Sequence, residues 1–131
     1  MDKPGRILGN VATRVLFENE RVRIWEMELA PGASSDTHRH DVDYVLVQIE
    51  GDRIAATPEP DTQGVFTEYL EADVVPGKAR YIRRGGIETA INVGRRRYRE
   101  ILIELKYPRW PRRVKWGWCR WRRAWWPPRR S

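Results

Sequence analysis

The residues best suited to chemistry in this chain are its two histidines, His38 and His40, which lie one residue apart. Side chains of an extended segment alternate between its two faces, so both imidazoles are expected on the same face. Neutral imidazole binds transition-metal ions through one ring nitrogen. The pair therefore predicts the beginning of a metal site, and the alternative is a polar patch on one face of a strand.

Two further side chains lie at even-numbered positions, like the two histidines. Tyr44 is expected to face the same space, either as a core aromatic or as a hydrogen-bond donor to a bound substrate. Gln48 lies further along that face and is a candidate polar contact to the substrate. Asp41 and Asp43 fall on the opposite phase, which favours surface groups or partners that orient a histidine.

The elements that position these residues are predicted to be short strands separated by Gly and Pro turns, with no sustained helical periodicity. Within 21–29 the apolar residues change from even to odd positions, which predicts a β-bulge or a change of packing layer. Pro58, Pro60 and Gly64 predict a loop. Such a pattern is typical of an all-β sandwich or barrel. The predicted strands are 11–17, 21–29, 44–49, 65–70, 73–75, 79–82, 87–93 and 98–105.

Charge is distributed unevenly along the 131 residues, a length that suits one domain. Residues 1–106 are nearly neutral, with 16 Lys and Arg against 18 Asp and Glu, whereas 107–131 hold nine Lys and Arg and no acid.

The single cysteine, Cys119, excludes an intrachain disulfide and a cysteine-based zinc site. The sequence begins without an apolar signal-peptide core and has no run of about 18 apolar residues, so a cytoplasmic location is predicted.

Two motifs in this sequence resemble the signature motifs of the cupin superfamily. The first is Gly32-x5-His38-x-His40-x3-Tyr44-x6-Gly51, and the second is Gly77-x5-Arg83-x-Gly85-x2-Glu88-x3-Asn92. The resemblance implies an all-β double-stranded β-helix, that is, a jelly-roll barrel, often dimeric. It covers a predicted cupin domain at 11–106, between an N-terminal arm at 1–10 and a tail at 107–131.

The resemblance also implies a set of metal ligands. His38 and His40 match the first two ligands, Tyr44 replaces the usual glutamate, and Glu88 replaces the second-motif histidine. Carried over residue by residue, the set is His38, His40 and Glu88, which leaves coordination positions open for water, dioxygen or a substrate. The metal would be a divalent ion such as Fe, Mn, Zn or Ni.

Glu88 has an alternative interpretation. Ile87, Ile91 and Val93 occupy the opposite phase of this strand, so the hydrophobic pattern points Glu88 towards solvent while the motif points it inward. Arg83, with Arg80 and Arg84, is predicted to present positive charge at the barrel mouth to a carboxylate-bearing ligand, or to form a charged rim.

These observations lead to a functional hypothesis with two alternatives. The first is a homodimeric, metal-dependent cupin enzyme that acts on a small carboxylate or dicarbonyl compound in a dioxygenase-, isomerase- or decarboxylase-like reaction. In it Tyr44 is catalytic, and Gln48 and Arg83 bind the substrate. The alternative is a non-catalytic, ligand-binding or structural cupin whose metal site has decayed.

The tail suggests a third function. Residues 107–131 contain six of the seven tryptophans together with the nine basic residues. Arginine contacts phosphates and indole suits a bilayer interface or stacked bases, so the tail is a candidate ligand for anionic membranes or nucleic acid. The same composition is also what GC-rich codons encode when read out of frame.

Overall fold

The computed structural model describes residues 4–106, which form two antiparallel sheets with no helix in that range. The larger sheet has the strand order β1-β2-β9-β4-β7, and the smaller has β3-β8-β5-β6. The all-β prediction is confirmed, and no helix within 4–106 is long and apolar enough to cross a membrane. The strands are β1 Arg14–Glu18, β2 Val22–Leu29, β3 His38–Arg39, β4 Tyr44–Glu50, β5 Arg53–Pro58, β6 Leu70–Asp73, β7 Ala79–Ile82, β8 Ile87–Asn92 and β9 Tyr98–Leu105.

The core lies between the sheets and follows from the pairing of β2 with β9. Eight residues of each strand pair without a register shift, so the odd positions of β2 and the even positions of β9 face inward together. Met27 and Leu102 are only 2% and 1% exposed. The buried core residues are Val11, Ala12, Trp25, Met27, Leu29, Tyr44, Tyr98 and Leu102.

The expected irregularity near residue 25 lies in a neighbouring strand. The pairing of β1 with β2 shifts register between Val15 and Phe17, opposite Trp25 and Ile24. Strand β2 itself pairs regularly with β9, so the bulge belongs to β1.

Two strand predictions were misplaced and one strand was missed. The structure has one strand, β6 Leu70–Asp73, where strands were predicted at 65–70 and 73–75, and β5 occupies Arg53–Pro58, for which no strand was predicted. The loop predicted from Pro58, Pro60 and Gly64 follows β5. Pro58 ends β5, a position where its missing N–H removes no interior ladder bond. The alanines at positions 55 and 56 have low strand propensity, and their pairing with both β6 and β8 overrides it.

The described part of the N-terminal arm packs on the domain. Arg6 donates two hydrogen bonds to the carboxylate of Asp61, at 2.8 and 2.9 Å. The amide of Gly9 donates to the carbonyl oxygen of Thr37 at 2.8 Å. The arm is thereby fixed beside the strand that carries the first histidine. The tail predicted at 107–131 lies outside the described residues.

The motif glycines have a backbone role. Gly32, Gly51, Gly77 and Gly85 all have positive φ, a region that other residues rarely adopt. At Gly85 (φ 109°) an added Cβ would also lie 2.9 Å from the carbonyl oxygen of Gln63. The second motif therefore requires glycine where the chain turns into β8.

The motif asparagine is also structural. Asn92 is fully buried and its amide donates to the carbonyl oxygens of Leu29 and Arg96, at 2.9 and 2.8 Å. Its Oδ1 accepts from the amide of Gly94 at 2.9 Å. All its polar side-chain atoms are used to join β2, β8 and the following turn.

Candidate metal centre

Strand pairing between β3 and β8 brings the two motifs together. His38 lies directly opposite Glu88, and Arg39 opposite Ile87. The ladder continues past β3, because the amide of His40 donates to the carbonyl oxygen of Gly86 and the amide of Gly85 donates to that of His40, both at 2.8 Å. Cross-strand neighbours on one face have closely spaced Cβ atoms, so the histidines and Glu88 share one space.

The donor atoms of these three side chains converge. One ligand atom each from His38, His40 and Glu88 lie within 4.8 Å of one another. The Nε2 of His40 is 3.3 Å from Oε1 of Glu88. Both histidines are 2% exposed, and the side chain of Glu88 is largely buried. Glu88 therefore points inward, as the motif register predicted.

The hydrophobic pattern of β8 pointed the other way for a specific reason. Ile87 is buried on the opposite face because the chain at 59–63 covers that end of the strand. The amide of Glu59 donates to the carbonyl oxygen of Ile87, and the amide of Ile87 donates to Oγ1 of Thr62. In the sequence pattern, an apolar residue buried under this covering segment looks the same as one that faces the core.

The electrostatics favour a neutral imidazole and an ionised carboxylate. Burial lowers the pKa of His38, and the neighbouring His40 lowers it further. Nδ1 of His38 donates to the carbonyl oxygen of Asp36 at 2.8 Å, which leaves the Nε2 lone pair for a ligand. Burial acts to raise the pKa of Glu88, but the hydrogen bond with His40 and the charges of His40 and His38 together outweigh it, and the net shift is downward.

This donor set fits a metal ion. Two ligands bound at about 2.1 Å lie at most about 4.2 Å apart, so the three atoms need to move by less than about 1 Å. Nδ1 of His40 is buried with no hydrogen-bond partner within 4–106. The ring of His40 is thus positioned by Glu88 and by stacking, and a small rotation breaks no other side-chain hydrogen bond.

Tyr44 lies against the cluster as a neutral phenol. Its ring stacks on His40 with centroids 4.1 Å apart and an interplanar angle of 21°. Burial raises the pKa of Tyr44, and the charges of Glu88 and Glu100 raise it further. A tyrosinate ligand is therefore disfavoured, and the predicted role of Tyr44 as a catalytic donor stays a prediction.

A cavity of about 110 Å³ opens beside the cluster. The structure places the predicted substrate contacts differently around it. Gln48 lines the cavity, but its Oε1 accepts from the amide of Val75 at 3.0 Å. Arg83 is exposed and lines a separate hollow of about 10 Å³, whereas Arg80 lines the main cavity. The walls are mostly apolar, with Met27, Leu46, Ile54, Phe66, Ile82, Ala90 and Leu102 among them.

One cavity residue was missed by sequence reasoning. Glu100 on β9 is 5% exposed and accepts a hydrogen bond from the hydroxyl of Tyr98. Burial raises its pKa to about 7, the charge of Glu88 adds to the rise, and the bond from Tyr98 opposes it. The sequence signal that could have indicated an inward-facing Glu100 is its even position in β9 between Tyr98 and Leu102, which are both core residues.

Comparison with known proteins agrees with this arrangement. No family model matches the chain. It is 37% identical over 75 residues to the β-alanine degradation protein BauB of Pseudomonas aeruginosa, covering 56% of this chain and 70% of that protein. A cupin domain from Bordetella pertussis is 27% identical with a TM-score of 0.59, covering 82% of this chain and 99% of that one.

A second solved structure shows the same fold. It is an uncharacterised double-stranded β-helix protein from Klebsiella pneumoniae, 14% identical with a TM-score of 0.54, covering 81% of this chain and 82% of that one. The two antiparallel sheets thus form the jelly-roll barrel that the motifs predicted. The chain belongs to the cupin superfamily.

Proposed function

We propose that this chain is a small metal-dependent cupin enzyme that acts on a short carboxylate or dicarbonyl compound. The observation that carries the proposal is the convergence of His38, His40 and Glu88 beside a cavity. Two neutral imidazoles and a carboxylate are a donor set for Fe, Mn, Zn or Ni that leaves positions free for substrate.

Each residue has a defined task in this proposal. His38 and His40 hold a divalent ion through ring nitrogens, and Glu88 holds it through a carboxylate oxygen. The bound ion supplies a Lewis acid that polarises a substrate oxygen. Tyr44, neutral and stacked on His40, donates a hydrogen bond to the substrate. Gln48 lines the cavity and Arg83 lies beside Tyr44 near the barrel mouth, where we expect them to contact the substrate.

The substrate class is supported by the relative and by the cavity. BauB is named for β-alanine degradation, and β-alanine is itself a three-carbon carboxylate. A cavity of about 110 Å³ suits a compound of that size. Arg80 at its edge forms no salt bridge with a carboxylate of residues 4–106, so its charge is available to an acidic ligand.

Metal analysis tests the proposal. We expect purified wild-type protein to hold about one divalent ion per chain, and the His38→Ala/His40→Ala double variant to hold almost none. Asp41→Asn is the matched control, since Asp41 lies next to His40 but pairs with Arg39 at the surface. Negligible metal in both wild type and double variant would refute the metal-dependent enzyme.

The alternative is a ligand-binding cupin without metal. Tyr44 in place of the usual glutamate ligand favours it, because the superfamily's four-ligand set is incomplete. It predicts that a short carboxylate raises the melting temperature of chelator-treated protein as much as that of metal-loaded protein. Loss of folding stability on chelation would count against it.

Homodimer formation and a cytoplasmic location remain predictions. A row of apolar residues crosses the outer face of the larger sheet in register, and it supports self-association. The row consists of Phe17, Ile24, Ile103, Val45 and Tyr81. Sedimentation of the purified chain would measure its oligomeric state.

Binding through the tail also remains a prediction. Truncation after Lys106 should abolish steeply salt-dependent binding to nucleic acid or anionic vesicles while the barrel stays folded. Unchanged binding after truncation would remove this function.

A further inference from the structure

Glu100 is a buried acid that the proposed metal centre does not use. Its side chain lines the cavity from β9, and its hydrogen-bond partner within 4–106 is the hydroxyl of Tyr98. The nearest residues on the paired strands are Gln48 and Met27, neither of which carries a charge. A buried carboxylate without a cation is costly, and such a group is commonly neutral instead.

The second acidic residue on the inward face of β9 has a different environment. Glu104 lies four residues further along, and its Oε1 accepts from Nε1 of Trp25 at 2.5 Å. Arg23 lies 3.9 Å from the same oxygen. Glu104 is therefore bonded within the protein and does not line the cavity, whereas Glu100 lines it.

The hydrogen-bond direction at Glu100 determines what it offers to a ligand. The hydroxyl of Tyr98 has one proton and donates it to Oε2. A protonated Glu100 then has its own O–H available to the cavity. Arg80 lines the same cavity and forms no salt bridge within 4–106. The charge of Arg80 acts on Tyr98, the hydrogen-bond partner of Glu100, by lowering its pKa. The cavity thus presents a neutral acid donor and a cation, which together suit an anionic oxygen.

We propose that Glu100, positioned by Tyr98, binds the carboxylate group of a short-chain acid as a protonated hydrogen-bond donor, together with Arg80. This deepens the proposed function, because it names the group on the substrate that the cavity recognises, and it rests on the cavity ligand proposed there. It does not depend on the metal ion.

Other titratable groups line this cavity, and most do not titrate near neutral pH. Burial raises the pKa of Tyr98 and of Tyr44 and lowers that of His38. Burial acts to raise the pKa of Glu88, but the bond and charge of His40, with the charge of His38, shift it down. The pKa of Glu100 is raised to about 7 by burial. The remaining groups are His40, Arg80 and Asp73, the last paired with Arg53 at 2.5 Å.

Calorimetric titration with propionate tests the proposal, with neutral propionamide as the matched ligand. Propionate is ionised from pH 6 to 9, so the pH dependence belongs to the protein. For wild type we expect the propionate Kd to rise about tenfold from pH 8 to 9, because each molecule bound requires one proton on Glu100. Glu100→Gln keeps a donor and should bind propionate with a Kd that is constant over this range.

Two control variants sharpen the test. Glu104→Gln removes the other inward carboxyl group of β9 and should keep the wild-type pH profile. Arg80→Met should weaken propionate binding by about tenfold at every pH, because it removes charge without changing the protonation of Glu100.

Three results would overturn the proposal. They are a wild-type pH profile in Glu100→Gln, propionamide binding as tightly as propionate at pH 6, and no propionate binding by wild type at pH 6. Infrared spectroscopy of the wild type gives a readout that needs no variant, since the carbonyl band of a buried acid should be present at pH 6 and absent at pH 9. Absence of this carbonyl band at both pH values would also overturn the proposal.

Failure of this proposal is distinguishable from failure of the metal-dependent enzyme. The His38→Ala/His40→Ala variant should lose metal but keep pH-dependent propionate binding. Wild type that binds no metal but shows this propionate profile refutes the enzyme and supports the role of Glu100. Metal-loaded protein that binds no propionate refutes the role of Glu100 and leaves the metal-dependent enzyme supported.

Discussion

Glu88 and Glu100 line one cavity from different sheets, and their environments set opposite charge states. Glu88 lies 3.3 Å from Nε2 of His40, and its pKa is shifted down. Glu100 accepts from the hydroxyl of Tyr98, and burial raises its pKa to about 7. An imidazole donates a hydrogen bond to a carboxylate and, when protonated, also offers a positive charge, whereas a phenol offers one hydrogen bond and no charge. The partner decides whether a buried acid is a metal ligand or a proton donor.

The largest effect is expected in the pH dependence of stability. Glu100 has a pKa of about 7 in the folded chain and about 4.3 unfolded, so the folded state binds the extra proton between these values. Stability is therefore lost as pH rises from about 4.3 through 7. The free energy of unfolding of Glu100→Gln, relative to wild type, should be about 3 kcal/mol higher at pH 8 than at pH 5. Urea unfolding of both proteins at the two pH values measures this difference.

Glu104→Gln is the control for this measurement. Titration of other groups, including His38, cancels in the difference between wild type and variant. If the stability difference between wild type and Glu100→Gln is the same at pH 5 and pH 8, Glu100 is ionised in the folded chain and the contrast with Glu88 fails.

The next effect concerns metal affinity. Glu88→Gln should lower the affinity for Zn²⁺ by about 100-fold or more, since loss of even an indirect partner of a metal ligand typically costs about 10–100-fold. Glu100→Gln should change it by less than about threefold, because Glu100 lies outside the cluster of donor atoms. Competition with a chromophoric chelator measures both. Equal losses in the two variants would show that the carboxyl groups act as one site.

A smaller effect is expected from Tyr98→Phe. The hydroxyl of Tyr98 stabilises the ionised form of Glu100, so its removal should raise the pKa of Glu100 further, by about one pH unit. The midpoint of the infrared titration measures this shift. A downward shift would mean that water or another group replaces the phenol as a better donor.

The smallest effect is expected from Tyr44→Phe. The ring remains stacked on His40, so Zn²⁺ affinity should stay within about threefold and stability within about 1 kcal/mol of wild type. A tenfold loss of Zn²⁺ affinity would show that the phenol oxygen is a ligand. Once a substrate is known, loss of turnover with full metal content would support Tyr44 as the catalytic donor.

The sequence allowed a sound prediction of the fold and of the donor cluster, because fixed spacing encodes both. Gly32, Gly77 and Gly85 predicted turns, and the structure gives all three the positive φ angles that favour glycine. The motif register also placed Glu88 correctly against the hydrophobic pattern. That pattern misled because Ile87 is buried under the segment 59–63, a contact between residues far apart in sequence.

The role of Glu100 could not be predicted from its strand. Glu100 and Glu104 have the same phase and similar neighbours in β9, and what differs is the surroundings of their side chains. Trp25 reaches Glu104, and the cavity reaches Glu100. Strand β5 was missed for a related reason, since its alanines gain strand structure only from β6 and β8 on either side.

The pairing of His38 with Glu88 has a consequence for how the chain folds. Strand β3 has two residues, so few local contacts hold it to β8, and the pairing closes a loop of about 50 residues. By contrast, β2 and β9 pair over eight residues each and carry much of the buried core. We expect metal capture during refolding to follow formation of the β2–β9 core, so that an ion added to refolding protein reports the time at which the two motifs meet.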